Sequence, residues 1–164
     1  MQVTFKGKPV EVEGPIPKVG DKAPDVTLFN RKGEEVKLSD FIGEKPVVLS
    51  VVPDVLTRTC ELQTKRFSDE LDESAVYLTV SRNTVDEFNQ WNDENELDLT
   101  TLSDSKNEFG DKYGLGVNLG ADERLSRSVF IIDTDGNIRY TQIVEEISDE
   151  PNYKDTLEAL NNLK

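Results

Sequence analysis

Cys60 is the single thiol in a chain of 164 residues that has no histidine. It closes the segment Pro53-Asp54-Val55-Leu56-Thr57-Arg58-Thr59-Cys60, which joins a continuous apolar run to a stretch of helical period. The first turn of a helix carries N–H groups without intrahelical acceptors and the positive end of the helix dipole. Sulfur placed there is drawn toward its thiolate form, and the thiolate is the nucleophile in thiol chemistry. The alternative for Cys60 is an inert apolar filler on the inner helix face, where free cysteine is often found.

Other chemistries are closed off by composition. Without histidine the chain lacks the commonest zinc ligand and the commonest general base, so Cys-His and Ser-His-Asp catalysis are excluded. One cysteine cannot form a disulfide within the chain, and unpaired cysteine fits a reducing compartment. With 33 acidic and 19 basic residues the net charge is −14, which repels nucleic acid and anionic lipid and otherwise serves solubility. The first residues, Met1-Gln2-Val3-Thr4-Phe5-Lys6, show no apolar targeting segment. No apolar run approaches the about 20 residues that span a bilayer. The expectation is a cytoplasmic protein without membrane or nucleic-acid partners.

The elements that must position Cys60 follow from polarity patterns. Residues 2–5 and 10–13 alternate around Lys6-Gly7-Lys8-Pro9, which predicts an N-terminal β-hairpin. A second hairpin is predicted from residues 26–29 and 35–38 around Asn30-Arg31-Lys32-Gly33. Residues 46–52 are continuously apolar apart from Ser50, as a central strand buried on both faces would be. Past Pro53 the period becomes helical, with Leu56, Cys60, Phe67 and Leu71 on one face. Residues 75–81 read as a further strand.

Thr84-Val85-Asp86-Glu87 has the form of a capping box and opens a helix with Val85, Phe88 and Trp91 or Asn92 inward. Ser105 and Glu108 repeat that start signal. Ser128–Ile132 and residues 137–144 flank Asp133-Thr134-Asp135-Gly136, a hairpin turn. Pro151 precedes a last helix with Tyr153, Leu157, Leu160 and Leu163 as its stripe. The length suits one domain spanning 1–164. The order predicts an α/β domain, a mixed central sheet flanked by helices, in the sequence of a thioredoxin-like fold.

The spacing Pro53-x-x-x-Thr57-x-x-Cys60 at a strand-to-helix junction resembles the active-site motif of peroxiredoxins. Gly20-Asp21-Lys22-Ala23-Pro24-Asp25 and Leu38-Ser39-Asp40-Phe41 resemble their lead-in. The thiol peroxidase branch in particular is resembled by Ser50-Val51-Val52-Pro53, Cys60-Glu61-Leu62-Gln63-Thr64, Thr101-Leu102-Ser103-Asp104, Arg127-Ser128-Val129-Phe130 and the run from Glu146 to Tyr153. The likeness covers nearly the whole chain, N-terminal hairpin included.

This resemblance implies a thiol-dependent peroxidase that reduces hydrogen peroxide and organic hydroperoxides. In it Cys60 matches the peroxidatic cysteine, Thr57 the hydroxyl that holds the peroxide, and Pro53 the shield over the thiolate. Arg127 matches the arginine that steadies the thiolate and the developing oxyanion, a task suited to a permanently charged multiple donor. The alternatives are a helix cap for Thr57 and a surface strand-end charge for Arg127. No cofactor or metal is implied. Thioredoxin or a low-molecular-weight thiol would be the reductant, and the family habit is a homodimer.

Three positions depart from the family pattern. A resolving cysteine commonly follows an aromatic residue on the second helix, where this chain has Asn92 after Trp91. The resemblance therefore implies a one-cysteine form whose sulfenic acid is resolved by an outside thiol. An aspartate often precedes the motif threonine, where Leu56 stands here. Arg58 adds positive charge, but its spacing from Cys60 points it away along a helix. Missing its second cysteine, the chain could instead be a peroxide sensor or redox relay acting through Cys60, or an interaction module with an unreactive thiol.

Overall fold

A computed structural model describes residues 1–120 and 123–163. Seven of its strands form a mixed sheet in the order β11-β10-β5-β6-β7-β3-β4: β3 Thr27–Phe29, β4 Glu35–Lys37, β5 Val47–Val51, β6 Val76–Ser81, β7 Thr101–Ser103, β10 Ser128–Ile132 and β11 Ile138–Ile143. The strands β5, β6 and β7 run parallel, joined through helices α1 Arg58–Glu70 and α2 Val85–Glu94. Flanking strands pair antiparallel. Helices α3 Glu108–Tyr113 and α4 Tyr153–Asn161 complete the layers. This is the predicted mixed sheet between helices, and no helix among the described residues is long and apolar enough to cross a membrane.

Alternation along the central strands divides the core. Val47, Leu49 and Val51 of β5 pack with Leu78, Val80, Phe130 and Ile132 on one face, under Phe109 and Tyr113 of α3. Val48, Val129 and Ile131 point the other way, against Phe67 of α1 and Leu160 of α4. All five residues of β5 are buried, as are all five of β10, because helices cover both faces. At the carboxyl end of β5 a smaller cluster gathers Val52, Val55 and Cys60 with Phe88 and Trp91 of α2.

Two small sheets stand outside this framework. Strands β1 Gln2–Phe5 and β2 Lys8–Glu11 form the N-terminal hairpin, and β8 Gly116–Asn118 pairs with β9 Glu123–Leu125. The hairpin turn is tighter than the four residues expected. Lys6 and Gly7 both take positive φ, 52° and 80°, so two residues suffice and Lys8 and Pro9 already belong to β2.

Other local expectations shift as well. Leu56 lies before α1 and is 47% exposed, so it is not part of the inner helical face, and Leu71 is the C-cap residue rather than a helical one. Ser105 does not start α3. The cap position is Asn107, and the carboxylate of Asp104 accepts from the N–H groups of Phe109 and Gly110 at 2.9 and 3.0 Å. The two carboxylate oxygens of Asp104 serve one orphan donor each. At α2 the capping box forms as expected, with Thr84 and Glu87 exchanging bonds of 2.9 and 3.1 Å.

Candidate active site

The loop from Val52 to Thr57 carries the chain off the buried end of β5 into α1. Asp54 organises it: its carboxylate accepts from Leu56 N–H at 3.0 Å and from the Asn83 amide at 2.9 Å. Asn83 in turn accepts from Val55 N–H at 2.8 Å, which ties the loop to the end of β6. Thr57 holds the N-cap position of α1, yet its hydroxyl makes no capping bond. It donates instead to the Asp54 carbonyl at 2.8 Å, which leaves its lone pairs available to an incoming donor.

Cys60 is therefore the third residue of a 13-residue helix, within the turn where the dipole and unpaired N–H groups are felt. The Asp54 N–H reaches its Sγ at 3.5 Å. A second donor comes from far along the chain. β10 pairs with β5 so that Ser128 faces Val51, which sets Arg127 beside the end of β5 where α1 begins. Nη2 of Arg127 lies 3.3 Å from Cys60 Sγ. Its Nη1 donates to Gln63 Oε1 and its Nε to the Ile147 carbonyl, each at 2.8 Å. Gln63 donates onward to Ser50 Oγ at 2.8 Å. This network is buried, with Arg127 2% exposed and Gln63 fully enclosed. A buried guanidinium held by neutral acceptors keeps its charge for the sulfur.

Cys60, Thr57, Arg127 and Pro53 all border one pocket of about 470 Å³. Phe5, Leu119 and Ile147 give it apolar walls, and Lys6, Arg58 and Arg124 line it with positive charge. Arg124 also lies 3.8 Å from the Asp54 carboxylate. Cys60 is only 1% exposed, and this pocket is where a reactant can approach its sulfur. Arg58 corrects its expected position: as the first residue of α1 it borders the pocket rather than pointing away. No group of three or more Cys, Asp or Glu among the described residues could hold a metal ion.

Several participants were not singled out from sequence. Gln63 had a signal, since three residues from Cys60 on a helix places both on one face. The Ile147 carbonyl had none, because a backbone acceptor carries no residue-type signature. Phe5 and Lys6 reach the pocket through the N-terminal hairpin, whose docking site no local pattern encodes.

Fold and site together define a thioredoxin-like α/β protein with a helix-start thiol held by an arginine. Residues 19–141 match the AhpC/TSA family. The chain is 42% identical over 162 residues to a protein named thiol peroxidase from Listeria innocua, covering 96% of each. It is 38% identical to the thiol peroxidase of Bacillus subtilis over 163 residues, covering 96% of this chain and 95% of that one. Among solved structures, a peroxiredoxin-like protein from Aquifex aeolicus superposes with a TM-score of 0.91 at 31% identity, over 99% of this chain and 97% of that one. The chain belongs to the AhpC/TSA family.

Proposed function

We propose that this protein is a thiol-dependent peroxidase that reduces hydrogen peroxide and organic hydroperoxides through Cys60. The observation that carries this reading is the 3.3 Å approach of Arg127 Nη2 to the only sulfur nucleophile, at a helix start inside an open pocket. Kinship with proteins named thiol peroxidase supports it.

In the first step a lone pair of the Cys60 thiolate attacks the terminal oxygen of the hydroperoxide. The S–O bond forms, the O–O bond breaks, and the alkoxide or hydroxide that leaves takes up a proton to become an alcohol or water. Sulfur is oxidised to a sulfenic acid. Thr57 accepts from the peroxide O–H through its free lone pairs. Arg127 stabilises the negative charge as it passes from sulfur to the leaving oxygen. Pro53 closes the sulfur from water on one side.

Resolution requires an outside thiol, because Cys60 has no partner in the chain. That thiol condenses with the sulfenic acid and water leaves. A second thiol attacks the mixed disulfide, returns Cys60 to its reduced form and leaves as an external disulfide. The reductant is thioredoxin or a low-molecular-weight thiol. A homodimer in the cytoplasm is part of the same reading; Leu56, exposed one residue before Thr57, is an apolar side chain such a contact would cover.

Peroxide consumption by the wild type and by Cys60→Ser, with a thiol reductant, tests the proposal. Turnover in the wild type and none in the variant is expected, since serine is a far weaker nucleophile and no histidine is present to activate it. Equal turnover in both would sink the assignment.

A further inference from the structure

We propose that Glu146 is a positioning residue for Cys60, acting by tying the tip of the β1–β2 hairpin to the loop that holds Arg127. Its carboxylate accepts five hydrogen bonds. Two come from the Ser148 N–H and hydroxyl at 2.8 and 2.5 Å, and one from the Thr4 hydroxyl at 3.0 Å. The remaining two come from the N–H groups of Lys6 and Gly7, at 3.1 and 2.7 Å. Those last two residues form the turn with positive φ, a conformation in which side chains such as lysine are uncommon. Successive N–H groups in such a turn make an anion-binding concavity, and Glu146 fills it.

What the carboxylate joins is the pocket itself. On the hairpin side, Phe5 and Lys6 line the opening. On the loop side, the Ile147 carbonyl receives Arg127 Nε at 2.8 Å, and the Ser148 carbonyl receives the Thr59 hydroxyl at 3.2 Å, one residue from Cys60. Backbone bonds of 2.8 Å from Thr4 to Glu145 and from Ile147 to Thr4 run alongside. Glu146 therefore lies one link away from the guanidinium and from the first turn of α1. The hydroxyl and N–H of Ser148, with the N–H of Gly7, hold its carboxyl down to about 2, so the group stays ionised and its five bonds charge-assisted.

The kinetic part of the inference rests on the peroxidase reading, and the test separates the two. Oxidation of Cys60 by hydrogen peroxide is followed by stopped flow, and alkylation by iodoacetamide at pH 7 in parallel. The proteins are the wild type, Glu146→Gln, Glu146→Ala, Arg127→Ala and the double variant Glu146→Ala/Arg127→Ala. Glu11→Gln, at the far end of the hairpin, is the control. Expected is a loss of about tenfold in oxidation rate for Glu146→Ala, the scale of a modest misplacement of a reacting group, with slower alkylation as well. Glu146→Gln recovers part of it, and Glu11→Gln behaves as wild type. On the Arg127→Ala background the Glu146 change costs less than in the wild type, because only the link through Ser148 and Thr59 is left to lose, which a role in stability alone would not produce. An unchanged oxidation rate in a folded Glu146→Ala or Glu146→Gln protein overturns the proposal, as does an equal loss on both backgrounds. If Glu146→Ala does not fold, Glu146→Gln alone and on the Arg127→Ala background is read by the same criteria. A wild type inert to peroxide sinks the peroxidase reading instead, and the alkylation rates then decide for or against Glu146.

Discussion

Gln63 and Arg127 are joined by a buried bond of 2.8 Å from Nη1 to Oε1, and that bond aims the remaining Nη2 at Cys60. Gln63 is itself oriented by its donation to Ser50 Oγ from the neighbouring strand. The amide has one correct orientation, because its oxygen faces the guanidinium and its nitrogen the serine. Gln63→Ala would leave a buried guanidinium N–H without an acceptor. The expected cost is about 1–3 kcal/mol of stability, read by chemical denaturation. Oxidation of Cys60 should slow by about tenfold as Nη2 loses its aim. Full speed in a stable Gln63→Ala protein would show that the Ile147 carbonyl alone suffices to orient Arg127.

Thr57 supplies an acceptor. Its donor is spent on the Asp54 carbonyl, and the hydroxyl is exposed at the pocket. Thr57→Val removes the lone pairs while keeping the shape. Peroxide attack should fall by roughly 10²–10³-fold, the scale for one preorganised polar contact in a transition state. Thr57 makes no capping bond, so helix α1 and the melting temperature should be little affected. Arg127→Ala should fall by the same order. A drop of less than about threefold in either protein would lie well outside that scale and name the wrong polar partner.

The sequence made the centre of this fold legible and left its margins dark, for reasons of length and distance. β5 and β10 are continuous apolar runs, and burial on both faces is what such runs record. β7, β8 and β9 span three residues each, too few to show a period; β3 and β4 are as short and were legible from the turn Asn30-Arg31-Lys32-Gly33 between them. Cys60 could be placed at a helix start from local signals. Arg127 was legible only by resemblance, because it is 67 residues away and its approach depends on the register that sets Ser128 opposite Val51. Asp104 is not legible as the acceptor for the first turn of α3, because it lies before the cap position and its two bonds run to residues five and six positions on, beyond the usual capping spacing.

That same Asp104 makes stability depend on pH. Burial raises its carboxyl to about 6, against the opposing pull of the Phe109 and Gly110 N–H groups and the charge of Arg82. The folded state then binds a proton that the unfolded state releases near its ordinary value of 3.8. Between those two values the folded state holds more protons, so its stability falls as pH rises. Melting temperatures of the wild type should decline across that window relative to Asp104→Asn, which has no proton to lose there. Parallel profiles for the two proteins would show that Asp104 is ionised throughout.

Asn92 occupies the position where the resemblance calls for a second thiol, and the structure makes it a staple. It is fully buried. Its amide donates to the Phe88 carbonyl at 3.0 Å and to Thr101 Oγ1 at 3.3 Å, and it accepts from the Leu99 N–H at 3.0 Å. These bonds fix the end of α2 to the strand that follows, while Phe88 and Trp91 of the same helix pack in one cluster with Cys60. In the wild type one equivalent of peroxide should leave a sulfenic acid that dimedone traps, and excess peroxide should carry Cys60 on to sulfinic acid. Asn92→Cys places a thiol on that helix and removes the staple. Leaving the Leu99 N–H without its acceptor should cost about 1–3 kcal/mol of stability. The same loss eases the local unwinding that a disulfide needs, since its Cα atoms must come within about 7 Å. Oxidised Asn92→Cys should therefore lose dimedone labelling, lose two hydrogens by intact mass and resist overoxidation. Persistent labelling with no change in hydrogen count would show that Asn92 does not hold the resolving position.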